Sequence, residues 1–124
     1  MIVVDLDGTL LNINSGCSRN TKRYLKRLKD MGYIVVIATG RVLGDAVKIT
    51  DGADFANYII SNSGGLIYDM GLKKIIMKKG LSKDIARYIY SLDNDDMSNV
   101  MYNRINNAKD EKVRTRKMID EIFK

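Results

Sequence analysis

A chain of 124 residues that is 45% hydrophobic makes one globular domain at most, burying roughly two-thirds of its unfolded surface in a modest core. A single cysteine, Cys17, excludes an internal disulfide framework and fits a reducing compartment; the absence of histidine excludes His-based triads and His-ligated zinc, so any metal must be held by oxygen. The net charge of +6 gathers around Lys73, Lys74, Lys78, Lys79, Lys83 and Arg87, but without stacking aromatics or a recognised motif that stripe reads as a solvated lysine face, not a nucleic-acid site.

In chain order, Ile2 to Val4 is a short apolar run of the kind a buried parallel strand shows. It is too short, and lacks a basic leader, for a signal peptide or a membrane span, so the cytoplasm is the expected location. "NTKRYLKRLKDMGY" reads as a helix with Asn20 as N-cap, Gly32 as its stop, and Tyr24, Leu25, Leu28 and Met31 on one stripe. "YIVVIATG" is a strand, "RVLGDAVKIT" a second helix and "NYIISN" a third strand. This β-α-β-α-β order implies a parallel sheet with right-handed crossovers.

The pattern then changes. "GLIYDMGLKKIIM" reads as a hairpin around a tight Met70-Gly71 turn. Ser82 can cap "KDIARYIYSL", where Ile85, Ile89 and Leu92 share a face; "DNDD" is a polar loop, "MSNVMYNRI" a further strand, and the tail to Lys124 reads as helical. A boundary near Gly64 to Tyr68 divides the chain into residues 1–69 and residues 70–124.

The chemistry lies in "VVDLDGTLLN". Asp5 ends the first strand, and side chains at i and i+2 of an extended segment point the same way, so Asp5 and Asp7 can converge on one site. That site falls outside the carboxyl ends of the strands, where open α/β sheets bind ligands. Gly8 allows the sharp turn that follows, and Thr9 can hold it through a local hydrogen bond. Two close carboxylates need a divalent cation or a shared proton. With both, one acid stays ionised as nucleophile and metal ligand, while the other has its pKa raised and donates a proton. A calcium loop would need an acid or Asn where Thr9 stands, and a plain surface turn does not suit a pair that follows a buried strand. "ATGR" ends the second strand alike: Thr39 offers a hydroxyl, Gly40 lets the backbone come close, and a helix beginning there would seat a phosphate.

"DLDGTLL", "ATGR" and "IISNSGGLIYD" together resemble the haloacid dehalogenase superfamily, in particular its Cof-type branch of sugar-phosphate and related phosphatases. The resemblance covers residues 2–69 and runs on toward Ile105. It implies an α/β, Rossmann-like three-layer core with a parallel sheet, followed by a partial α+β cap segment. It implies a Mg²⁺-dependent phosphomonoester hydrolase with Asp5 as nucleophile forming an aspartyl-phosphate. Asp7 would be general acid, then base, with its main-chain carbonyl on Mg²⁺; Asp5 and Asp7 are thus the metal residues. Thr39, the Gly40 backbone and Asn62 would bind the phosphoryl group, although Ser63 intervenes before Gly64 where the family often has Asn-Gly. The substrate class implied is a phosphorylated small molecule, a sugar phosphate or similar.

Two motifs that the family carries beyond its cap are not found. Lys78, Lys79 and Lys83 are candidates for the family's lysine by charge alone, and Asp93, Asp95 and Asp96 fit a polar loop inside the cap better than the missing Gly-Asp-x-x-Asn-Asp segment. The chain thus looks like the first half of such a phosphatase. Weak or absent activity is expected, as is an exposed sheet edge that favours a homodimer or a partner chain. The alternative is a non-catalytic domain of the same fold that binds a partner.

Overall fold

The structure, a computed structural model, describes residues 1–12, 16–91, 102–106 and 109–113, with side chains through Tyr88. The chain divides into two compact units, Met1–Lys78 and Lys79–Lys124.

The first unit is built on a five-stranded sheet. Strand β1 (Ile2–Asp5) leads through the short antiparallel pair β2 (Leu11–Asn12) and β3 (Gly16–Cys17) to helix α1 (Arg19–Asp30). Strand β4 (Val35–Ala38), helix α2 (Leu43–Ile49) and strand β5 (Tyr58–Ser61) follow, and then the hairpin β6 (Leu66–Asp69) and β7 (Lys74–Lys78). The spatial order is β1-β4-β5-β6-β7. β1, β4 and β5 are parallel, whereas β6 and β7 run antiparallel on the same sheet. The expected parallel sheet is therefore a mixed one. Because β7 stays on it, this unit extends to Lys78, past the expected division after Asp69.

β4 lies inside the sheet, and Val35, Val36 and Ile37 are all buried, which explains its unbroken apolar run. Leu6, Ile37, Phe55, Ile59 and Leu66 are fully enclosed, each stabilising the unit by about 1.5–3 kcal/mol. β1 departs from the expectation of a buried strand. Among the described residues it pairs with β4 alone, and Val3 is 52% exposed.

Helix α1 starts two residues earlier than the Asn20 cap predicted. Ser18 has extended backbone, and its Oγ accepts from the Thr21 N–H at 3.1 Å, so Ser18 is the N-cap. The predicted stop holds. Gly32, at φ 91°, donates to the Lys29 carbonyl at 3.0 Å while Tyr33 donates to that of Leu28, a Schellman ending. The apolar stripe is narrower than predicted: Leu25 is buried and Leu28 half-buried, but Tyr24 and Met31 face solvent. Two lysines complete the packed face instead. Lys29 Nζ donates to the carbonyls of Asp54 and Ala56 at 2.8 Å each, and Lys22 pairs with Asp51.

The β6–β7 turn spans residues 70–73, wider than Met70-Gly71, and is held by the Leu72 N–H donating to Asp69 Oδ1 at 2.8 Å. In the second unit, Ser82 Oγ accepts from the Ile85 N–H at 3.3 Å and caps helix α3 (Lys83–Ser91) as predicted. Strands β8 (Tyr102–Asn106) and β9 (Lys109–Val113) form an antiparallel hairpin. The helical reading of the tail is thus wrong over Lys109–Val113, where pairing with β8 overrides the weak local preference of a charged segment. The remainder of that tail, Leu92 and the "DNDD" loop lie outside the described residues.

Candidate active site

The parallel register brings three strand tips level. Asp5 pairs with Ala38, the last residue of β4, and Ala38 pairs with Ile60 of β5. Thr39 follows at once, its N–H donating to the Ile60 carbonyl at 2.9 Å. Asp5 and Thr39 therefore close adjacent strands, with Ser61 and Asn62 at the tip of the next. Asp5 is exposed and Thr39 is buried.

The chain turns sharply beyond Asp5. Leu6 is enclosed in the core, and its carbonyl accepts from Thr9 at 3.3 Å and Leu11 at 2.8 Å; Gly8, at φ 78°, takes the left-handed position that glycine allows. Strand β1 ends at Asp5, whose carbonyl accepts from the Leu10 N–H at 3.3 Å, and Asp7 forms an isolated bridge with Leu11. The partner found at Asp7 is Arg41. Its Nε donates to Oδ2 at 2.8 Å and its Nη2 to Oδ1 at 2.6 Å, a bidentate fork. That fork holds the Asp7 carboxyl below its ordinary pKa, against a smaller opposing effect of burial, and raises the Arg41 guanidinium. The sequence predicted a raised pKa for the proton-donating acid. In this arrangement Asp7 is held ionised instead.

Arg41 is also fixed through its backbone. Its N–H donates to Thr39 Oγ1 at 3.1 Å, and its carbonyl accepts from the Asn62 N–H at 2.9 Å. The Ser63 N–H donates to the Thr39 carbonyl at 3.3 Å. Residues 39–41 and 62–63 are thereby zipped together. Helix α2 begins only at Leu43, with Val42 as an N-cap that makes no side-chain bond. The helix start predicted directly after Gly40 is thus displaced, with Arg41 and Val42 intervening before Leu43.

Asn62 and Ser63 both have left-handed backbone, at φ 52° and 53°, a conformation worth a functional look in residues other than glycine. Among the described residues, Ser61 Oγ and Asn62 Oδ1 are buried without a hydrogen-bond partner. Lys78 lies on β7, four strand spacings or about 19 Å from β1 along the sheet, which removes it as a neighbour of Asp5. Lys79 and Lys83 belong to the second unit.

No three acidic or cysteine side chains cluster among the described residues. The donors present still suit a hard cation. The Asp5 carboxylate is exposed, the Asp7 main-chain carbonyl is an oxygen donor, and magnesium is commonly held by one or two carboxylates, substrate phosphate oxygens and waters.

The profile of the haloacid dehalogenase-like hydrolases matches residues 2–123, and the chain belongs to that family. It is 40% identical over 93 residues to the 5-amino-6-(5-phospho-D-ribitylamino)uracil phosphatase YwtE of Bacillus subtilis, covering 73% of this chain and 32% of that protein. A second B. subtilis phosphatase of the same name, YcsE, is 27% identical over 106 residues, covering 86% of this chain and 42% of its own length. A solved haloacid dehalogenase-like hydrolase from B. subtilis superposes with a TM-score of 0.67 at 31% identity, over 73% of this chain and 32% of that one. A phosphatase of the same superfamily from Bacteroides thetaiotaomicron shares the fold at a TM-score of 0.69 and 23% identity, over 98% of this chain and 44% of that one. The chain thus spans between about a third and under half of these relatives.

Arg41 is the functional candidate that sequence reasoning passed over. The signal was its place directly after Thr39-Gly40, but its contact with Asp7 spans 34 positions and follows only from the register of β1 against β4.

Proposed function

We propose that this chain carries the nucleophile half of a Mg²⁺-dependent phosphomonoester hydrolase site. Asp5 attacks the phosphorus of a phosphorylated small molecule, a sugar phosphate or similar, and an aspartyl-phosphate forms as the bond to the leaving oxygen breaks. Asp7 delivers its proton to that oxygen. It then takes a proton from the water that attacks the aspartyl-phosphate, releasing inorganic phosphate and restoring Asp5. Thr39, the Gly40 backbone and Asn62 hold the phosphoryl oxygens during transfer, a reaction that depends on positioning and charge neutralisation. Asp5 and the Asp7 carbonyl would hold Mg²⁺, which when bound supplies positive charge to the phosphoryl oxygens.

The observation that supports this reading is the register pairing of Asp5 with Ala38, by which Asp5 and Thr39 fall at the ends of adjacent parallel strands. The test is phosphate release from an aryl phosphate, expected to need Mg²⁺ and to disappear in Asp5→Asn. Full activity in that variant ends the mechanism. The second unit, from Lys79 onward, serves as part of a cap, and the buried, single Cys17 supports a reducing, cytoplasmic setting. Among the described residues no helix is long and apolar enough to cross a membrane.

A second reading is a non-catalytic domain that keeps the phosphate seat for binding. The engagement of Asp7 by Arg41 favours it, since a carboxylate held in that fork cannot donate a proton. Calorimetry with Mg²⁺ and phosphate beside a turnover assay separates the two: binding without turnover supports the second.

A further inference from the structure

We propose that Arg41 is a positioning residue that clamps Asp7 and exchanges its fork onto an arriving phosphate, freeing the Asp7 carboxylate. The inference rests on the phosphate-ester reading above and adds how that site is held between turnovers.

Both Asp7 oxygens receive an N–H from Arg41. A carboxylate occupied in this way cannot carry the proton that a leaving group needs. The clamped arrangement and the proton-donating one are therefore different states of the same side chain, and something must move the site between them.

The surroundings favour a competing anion as that agent. Arg41 is anchored at its backbone, with the N–H on Thr39 Oγ1 and the carbonyl receiving the Asn62 N–H, so the guanidinium pivots from the residues proposed to hold the phosphoryl group. The pair is open to solvent, with side chains 34% exposed for Arg41 and 55% for Asp7. An ion pair of that exposure contributes little free energy and can be given up. A phosphate dianion offers the planar fork the same bidentate geometry with more charge. Substrate arrival then withdraws the clamp only when there is a group to protonate.

The experiment titrates inorganic phosphate, without metal, into the full chain and four variants: Asp7→Asn, Arg41→Ala, Arg41→Lys and the Asp7→Asn/Arg41→Ala double. Binding is followed by NMR at the Thr39, Gly40 and Asn62 amides. In the wild type the Arg41 Nε–H and Asp7 carboxylate signals should move with the same midpoint as those amides. Because phosphate must displace Asp7 from Arg41, Asp7→Asn should bind phosphate tighter by about fivefold, and Arg41→Ala should bind it weaker by a similar factor. The gain from Asp7→Asn should vanish in the Arg41→Ala background, and Arg41→Lys should lose most of the affinity because it keeps the charge without the fork.

An equal or larger gain in the Arg41→Ala background means that Asp7 merely repels phosphate, and overturns the exchange. Phosphate binding that leaves the Arg41 and Asp7 signals of the wild type unmoved overturns it as well, while sparing the phosphate seat. No phosphate-dependent shift in any variant removes the seat and the exchange together.

Discussion

Asn62 and Arg41 are joined through their backbones, the Asn62 N–H donating to the Arg41 carbonyl at 2.9 Å. With the Ser63 N–H on the Thr39 carbonyl, this fastens the loop after β5 to the loop after β4. Residues that are far apart in sequence are thus joined along one edge of the candidate site. Gly40 fits within that edge because it has no side chain, since a Cβ there would lie 3.3 Å from Ser63 Oγ.

Gly40→Ala should therefore force Ser63 aside and destabilise the first unit by about 1 kcal/mol. Ser63→Gly should do the reverse. It removes the crowded hydroxyl and relieves the left-handed φ of 53°, a conformation that costs a residue other than glycine about 1–2 kcal/mol, so stability should rise. Combined, the two should leave the cost of Gly40→Ala near zero. Urea unfolding of the four proteins measures this; an unchanged cost in the Ser63→Gly background would place the strain elsewhere.

The Asp7–Arg41 fork has a pH signature of defined sign. The hydrogen bonds from Arg41 hold the Asp7 pKa below its ordinary 3.8 in the folded chain. A depressed folded pKa adds stability above the unfolded value, and that stability is lost as pH falls through the folded one. Asp7 is more than half exposed, so solvent screening limits the contribution to under about 1 kcal/mol at neutral pH. In metal-free buffer, the stability difference between wild type and Arg41→Ala should hold above pH 3.8 and shrink below it. Urea midpoints across that range check the sign, and a difference that grows on acidification contradicts the assignment.

What the sequence revealed of this fold was what local chemistry determines. The β4 run reads as buried because every one of its residues is apolar, and "DLDG" reads as a site because two acids at a strand end need a reason to be there. Gly32 was legible as a helix stop because left-handed backbone selects glycine. Ser18 was missed as the cap because Ser18 and Asn20 are equally good capping residues and only packing decides where the helix begins. β1 looked buried because an apolar run reads the same at a sheet edge and at its centre. Arg41 was illegible for a different reason: an ion pair across 34 positions is a product of the sheet register, and no local pattern encodes it.

Ser61 gives a prediction of the opposite kind, a polar group whose loss should cost nothing. Its side chain is fully enclosed, and its Oγ has no hydrogen-bond partner among the described residues. A buried hydroxyl without a partner carries a desolvation cost of about 1–3 kcal/mol, which replacement by a methyl removes. Ser61→Ala should leave the melting temperature unchanged or raise it. A clear fall would mean that the hydroxyl is bonded to an ordered water or a ligand, and would make Ser61 part of the site.

The side of β1 that pairs with no strand among the described residues yields the last expectation. β1 pairs with β4 along one edge, its Ile2 N–H donating to the Ile34 carbonyl at 2.7 Å, and alternate residues of a parallel strand direct their backbone groups to the other edge. Val3 falls on that alternate set, and both it and Met1 are exposed. Unpaired strand edges with apolar side chains recruit further strands, whereas a lysine there opposes pairing. This chain should therefore self-associate as its concentration rises, and Val3→Lys should suppress the association while leaving the monomer folded. Sedimentation velocity over a concentration series, with circular dichroism as the control for folding, measures both. A wild type that stays monomeric throughout, or a Val3→Lys variant that associates as strongly, would rule out this edge as the contact.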